Sequence, residues 1–137
     1  MLKLIIGSKG TGKTKQLIEL VNSTVDATNG DVVCIEKGNK LRFDIKYQVR
    51  LIEADESDIK TADSLYGFVA GILASNNDVK YLFIDSALKI IGDDVEGFDA
   101  MLTKFDKLAA YKGVELIITS SVDKEKASET VKKYVAV

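Results

Sequence analysis

Eight residues near the N-terminus, GSKGTGKT at 7–14, hold three glycines and two lysines directly behind the apolar run at 2–6. Glycine is poor material for the interior of a helix or strand, so its density here points to a backbone that curls closely around something. Gly7, Gly12, Lys13 and Thr14 satisfy the pattern G-x-x-x-x-G-K-[ST] at every fixed position. The chemistry that needs this spacing is phosphate binding. A glycine-rich turn directs backbone N–H groups inward, and a helix opening behind it adds its partial positive charge. Lys13 can then reach the β- and γ-phosphates of a nucleotide, while Thr14 offers a hydroxyl to Mg²⁺. Ser8, Lys9, Gly10 and Thr11 complete the candidate cradle. From average residue usage, a chance match in 137 residues is roughly a 1 in 200 event.

Such a cradle requires a strand to end and a helix to begin at fixed places. Residues 2–6 are fit for a buried parallel strand. From Lys13, the residues Leu17, Ile18, Val21 and Val25 recur at helical spacing up to the stop at Asn29-Gly30. Residues 32–35 read as a second, β-branched strand. Residues 41–51 alternate apolar and polar, which predicts a half-buried hairpin arm after Gly38-Asn39, running into a third core strand at 49–53. A helix at 61–75 and a strand at 79–84 come next. Val95, Phe98, Met101, Leu102, Phe105, Leu108 and Ala109 mark an amphipathic helix. A fifth strand is expected at 114–119 and a last helix at 123–133, with Tyr134 to Val137 a candidate sixth strand at the sheet edge. Strands alternating with helices, the strands apolar on both faces, predict one α/β domain over 1–137. Its mainly parallel sheet would have helices on both faces, in three layers. Ligands of such sheets bind beyond the carboxyl ends of the strands, where the 7–14 stretch falls.

Composition excludes several classes. Apolar residues are 46% and charged residues 29%, ordinary for a globular chain. A net charge of −2 and a pI near 5.2 argue against a dedicated nucleic-acid binder. No apolar stretch approaches the ~20 residues of a membrane span. Glycines and lysines interrupt the apolar run after Ile6, so no signal-peptide pattern is read there. The single cysteine, Cys34, has no partner for an internal disulfide and falls in an apolar run, as a small core residue would. A cytoplasmic location is the expectation. The chain has no histidine, which removes imidazole bases and the commonest metal ligand.

At these residues the chain resembles the P-loop NTPases, whose Walker A motif is the 7–14 pattern. The resemblance implies a second feature, an apolar strand ending in aspartate, and Tyr81-Leu82-Phe83-Ile84-Asp85 supplies it. In that family the aspartate holds Mg²⁺ through its water shell; read from the residues alone, Asp85 is a cap for the next stretch of chain. Two strands between the motifs look like the RecA-like branch, which implies a three-layer P-loop fold with core strand order 3-2-4-5-1. Many members of that wider branch carry a glutamate where this chain has Ser86. RecA-like proteins often place the glutamate at the end of the strand after the first helix, which implies Glu36 as acceptor of a proton from attacking water. Without the resemblance, Glu36 is a surface charge ahead of the Gly38 turn. The family also places a polar γ-phosphate sensor at the end of strand five, which implies Thr119 and Ser120, although hydroxyls are common at strand ends. The whole chain is similar to small single-domain bacterial P-loop proteins described as ATPases, sometimes as twitching-motility ATPases.

The expected ligands are therefore ATP or ADP with Mg²⁺. Guanine readers resembling Ras use N-K-x-D, whereas Asn39-Lys40-Leu41-Arg42 has arginine in place of the aspartate. Three functions are compatible with these residues: a Mg-dependent ATPase or ATP-driven switch, a non-hydrolysing nucleotide-binding regulator, and a small-molecule kinase. A homo-oligomer or a protein partner is compatible with each. Both arginines of the chain, Arg42 and Arg50, share the polar face of the alternating arm with Lys46. They read either as a solvated strand face or as groups reaching a phosphate on a neighbouring subunit.

Overall fold

The apolar run at the N-terminus becomes β1 (Leu2–Gly7), and the chain turns through the glycine stretch into α1 (Lys13–Ala27). This computed structural model describes residues 1–136. After α1 come β2 (Asp31–Glu36), β3 (Arg50–Glu53), α2 (Ala62–Ser75), β4 (Val79–Ile84) and the short α3 (Ala87–Ile90). The long α4 (Val95–Lys112), β5 (Glu115–Ser121) and α5 (Glu129–Tyr134) complete the chain. The five strands form one sheet in the order β1-β5-β4-β2-β3, and every pairing is parallel.

Parallel strands are covered on both faces, so alternate residues of one strand must enter two different cores. β2 shows this directly. Val33 and Ile35 join α2 and α4 through Leu65, Val69, Phe98, Leu102 and Phe105. Val32 and Cys34 join α1 through Leu17 and Val21, together with Phe83 and Ile117 from β4 and β5. Cys34 is fully buried, and burial pushes its thiol well above the ordinary value. Helix ends obey local chemistry. Thr61 and Ser64 form a reciprocal capping box on α2, and the Asp94 side chain accepts the Gly97 N–H at the start of α4. α4 is the amphipathic helix expected from its spacing, with Phe98, Met101, Leu102, Phe105 and Ala109 buried. No described helix is long and apolar enough to cross a membrane.

Three expectations are corrected. The hairpin arm does not form, and only Arg50–Glu53 is strand. Residues 41–49 instead run as successive turns across the α1 face. The Ile45 N–H donates to the Leu41 carbonyl at 3.0 Å, and the Val49 N–H to the Lys46 carbonyl at 3.0 Å. Burial has period four: Leu41, Ile45 and Val49 enter the α1 core, while Phe43 and Tyr47 are 88% and 92% exposed. The three anchors pack beside Leu17 and Val21 of α1 on Val32 and Cys34 of β2, while the alternate aromatic residues find no such cover. The arm is held by Asn22 of α1, whose side-chain amide donates to the Asp44 carbonyl (2.8 Å) and accepts from the Lys46 N–H (3.0 Å). Lys46 also pairs with Asp26. Arg42, Lys46 and Arg50 therefore do not lie on one strand face.

The sixth strand is likewise reduced. Tyr134 ends α5, Val135 makes an isolated parallel bridge with Leu4, and the Ala136 N–H donates to the Leu4 carbonyl at 3.0 Å. Val137 lies outside the described residues. The last helix also begins later than expected. A 3₁₀ turn (Lys124–Lys126) comes first, and the Ser128 side chain then caps α5 by accepting the Val131 N–H.

If the Asn22 amide holds the arm, Asn22→Ala should cost about 1 kcal/mol in urea unfolding. Amide exchange at Lys46 should accelerate. Asn22→Asp, which keeps the acceptor and loses the donor, should retain the protection at Lys46 and lose part of the stability. Unchanged exchange at Lys46 in Asn22→Ala would show that the three apolar anchors hold the arm without the amide.

Candidate functional site

Because all five strands run the same way, their carboxyl ends gather at one edge of the sheet. Gly7 ends β1, Asp85 comes directly after β4, Glu36 ends β2, and Thr119 and Ser120 lie near the end of β5. Residues separated by up to 113 positions thus share one rim. The 7–14 loop occupies that rim beside β5, with Gly7 paired to Ser121. Gly10 and Gly12 have φ of 83° and 85°, a left-handed backbone that disfavours side chains. Gly12 is the N-cap of α1 and supplies no side-chain bond to it. α2, α4 and α5, by contrast, are each capped by a side chain. The positive end of a fifteen-residue helix is thereby left to whatever the loop holds.

Inside the loop, Lys13 Nζ donates to the Ser8 carbonyl at 2.8 Å, and Thr11 Oγ1 donates to the same carbonyl at 2.7 Å. Burial lowers the Lys13 pKa, and the charge of Asp85 acts in the opposite sense. Ser8 Oγ donates to Asp123 Oδ1 at 2.8 Å, tying the loop to the chain beyond β5. A cleft of about 400 Å³ opens at the loop, lined in part by Lys9, Gly10, Gly12, Lys13, Thr14 and Lys15. Lys89 and Ser121 line its other side. Four lysines against one acidic residue, Asp93, give this small cleft an excess of positive charge.

Thr14, one residue into α1, turns its hydroxyl onto Asp85, with Oγ1 at 3.1 Å and 3.2 Å from the two carboxylate oxygens. Thr119 Oγ1 donates to Asp85 Oδ1 at 2.8 Å, and Ser86 Oγ lies 3.4 Å from Oδ2. Asp85 is 7% exposed, and among the described residues no lysine or arginine pairs with it. A carboxylate held by hydroxyls alone keeps its negative charge available to a cation. The described residues contain no cluster of three acidic, cysteine or histidine side chains able to hold a metal by themselves. A cation bound at Asp85 and Thr14 would therefore take its other ligands from water or from a bound anion, as Mg²⁺ commonly does.

The other sequence candidates are at the rim but differently engaged. Thr119 and Ser120 are buried. Thr119 Oγ1 accepts the Ser86 N–H at 2.8 Å, and Ser120 Oγ accepts the Leu88 N–H at 3.1 Å. Together they secure the turn into α3, where Ser86 has a φ of 58°. Glu36 is 3% exposed. Its carboxylate accepts the Lys40 N–H at 2.8 Å and the Leu41 N–H at 3.2–3.3 Å, closing the turn that starts the arm. Lys15, Lys89 and Ser121 escaped the sequence reading. Lys15 stands directly after the motif, and the alternation of β5 sets Ser121 apart from Ser120. Lys89 carries no pattern that marks it. In sequence comparisons, no family model and no curated protein matches the chain.

Burial raises the Glu36 carboxyl above its ordinary 4.5, against the opposing effect of its backbone hydrogen bonds. An acid with a raised folded pKa binds its proton more tightly in the native state. Its contribution to stability is complete below the unfolded value and is lost as pH rises through the folded one. The stability of wild type minus that of Glu36→Gln, measured by urea titration, should therefore fall as pH rises from 4.5. A flat or rising difference would mean that the hydrogen bonds outweigh burial.

Proposed function

We propose that the chain is a nucleotide-binding protein of the P-loop NTPase class, a Mg-dependent ATPase or ATP-driven switch. The observation that carries this reading is the contact between Thr14 and Asp85 across 71 positions of sequence. It joins the hydroxyl after the loop lysine to the aspartate after an apolar strand, the two groups expected to share one Mg²⁺. The uncapped N-terminus of α1 and the lysines around the loop support binding of the triphosphate itself. The sheet order, read from the β3 edge as 3-2-4-5-1, agrees with the order that the RecA-like resemblance implies. In this reading Gly7, Ser8, Lys9, Gly10, Thr11, Gly12 and Lys13 hold phosphate through backbone N–H groups and the Lys13 ammonium. Thr14 and Asp85 hold the ion.

A second reading, a nucleotide-binding regulator that does not hydrolyse ATP, draws on Glu36. Its carboxylate is engaged with the N–H groups of its own turn, and Ser86 rather than an acid stands after Asp85. Proton acceptance from water would require Glu36 to release those bonds.

Mg-ATP at a hundred times its dissociation constant should stabilise the fold by about 2.7 kcal/mol. For a domain of this size that raises the Tm by about 8–12 °C. Lys13→Ala should abolish most of the rise, and an equal rise in both proteins would remove the loop from the reading. Thr14→Ala and Asp85→Ala should weaken nucleotide binding with Mg²⁺ far more than in EDTA. If Asp85 were only a cap, its loss would leave the Mg²⁺ dependence intact.

Turnover separates enzyme from regulator. If Glu36 accepts the proton, Glu36→Gln should bind Mg-ATP normally and turn over about 10²–10⁴-fold more slowly. Equal turnover in the two proteins would make Glu36 a turn residue only. Binding without turnover in wild type, across a range of protein concentrations, would favour the regulator.

A further inference from the structure

The period-four arm does more than replace a hairpin. Written out from Leu41, the chain reads L-R-F-D, I-K-Y-Q, V-R: one buried anchor, then a cation, then at 43 and 47 an aromatic ring. The anchors Leu41, Ile45 and Val49 are inside, and every other residue from 42 to 48 is exposed. Burial of the anchors and the Asn22 amide fix the backbone from which the outward side chains project. Both arginines of the chain fall in this stretch, at Arg42 and Arg50, with Lys40 two residues before the first, and all three are exposed. Among the described residues none of these three cations has a carboxylate partner.

The rings are the unusual part. At 88% and 92% exposed, Phe43 and Tyr47 rest neither on the core nor on each other. A protein docking site is built around a contiguous, well-packed apolar centre. Two free-standing rings do not form one. They do present exposed π-faces in a stretch rich in cations, which is what stacking of unpaired bases along a phosphate chain requires. The Arg42 guanidinium lies 5.2 Å from the Phe43 ring centre, against the ring rather than against an acid.

We propose that the outer row of the arm, Lys40, Arg42, Phe43, Tyr47 and Arg50, is a binding surface for single-stranded nucleic acid. The bases stack on Phe43 and Tyr47, and the phosphates run along the cations. Duplex is disfavoured because its bases are already stacked on each other. The whole-chain charge of −2 obscures this surface, because acidic residues elsewhere cancel a local excess of cations. With about three cations engaged the binding is weak, with a Kd of about 10⁻⁶–10⁻⁴ M. The slope of log K against log salt is about −2.

The test is anisotropy of a labelled oligothymidylate of about 20 nucleotides, titrated with the intact protein at about 50 and 200 mM salt. Affinity should fall roughly 20-fold between the two salts. Phe43→Ala and Tyr47→Ala should each weaken binding by at least about fivefold. Arg42→Ala and Arg50→Ala should each flatten the salt slope by about 0.7. All four side chains are exposed, so thermal melting should stay unchanged and exclude misfolding as the cause. Tyr111→Ala is the control, since Tyr111 is an 83% exposed ring near Lys112 on α4, outside the row. It should leave binding intact, as should Lys13→Ala and saturating ATP, which keeps the result separate from nucleotide binding in the loop. The proposal fails if the oligonucleotide does not bind at the lower salt, or if Tyr111→Ala or Lys13→Ala weakens it as much as the ring variants do. Tighter binding of duplex also overturns it. So does equal competition by a polyglutamate peptide of matched charge, which would mark the row as a surface for an acidic protein.

Discussion

A carboxylate cannot be taken out of water without donors to replace it, and at Asp85 every side-chain donor is a hydroxyl. Thr14 reaches it from the first turn of α1, Thr119 from β5, and Ser86 from the adjacent turn. These three contacts tie the first βα unit to the centre of the sheet at the rim where the strands end. A lysine in place of any of them would have paired the charge directly. Hydroxyls satisfy the carboxylate only in part, which is compatible with the Mg²⁺ site of the proposed function. The Thr119 hydroxyl accepts from the Ser86 N–H while it donates to Asp85, so the left-handed turn at Ser86 and the start of α3 depend on the same carboxylate.

The parts of the fold that were legible are those with one dominant period. The strands carrying Val33, Ile35, Leu82 and Ile84 were plain because both of their faces are apolar, and α4 because its apolar stripe is unbroken. The arm departs from its alternating pattern because two periods coincide in it. Leu41, Phe43, Ile45, Tyr47 and Val49 alternate perfectly, yet taking every second member of that series gives the buried set. Periodicity states which residues could be buried together; how many are buried depends on what covers them. Here the cover is α1 alone, and neither it nor the Asn22 side chain is visible from within the segment.

At the rim, strand ends were predictable and the use of their polar atoms was not. Glu36, Asp85, Thr119 and Ser120 all lie where the order of elements implies. Which of them faces an open cleft depends on loop closure. Glu36 is drawn back by the N–H groups of Lys40 and Leu41, a contact over four and five residues that belongs to the turn rather than to the sheet. Ser120 is claimed by Leu88, and the open position passes to Ser121. Short-range satisfaction of backbone donors thus decides which side chains at the rim are available for chemistry.

One feature of α1 has a mechanical side. Its first turn carries Lys13 and Thr14, and its third carries Asn22, the residue that grips the arm. The nine residue steps from Lys13 to Asn22 make a stiff rod about 14 Å long. A pivot of about 5° at the glycine end swings Asn22 by about 1 Å over that length. Such a swing is comparable to the tolerance of the hydrogen bonds at Asp44 and Lys46. Loop and arm are therefore joined through one stiff element, which begins directly behind the left-handed Gly10 and Gly12.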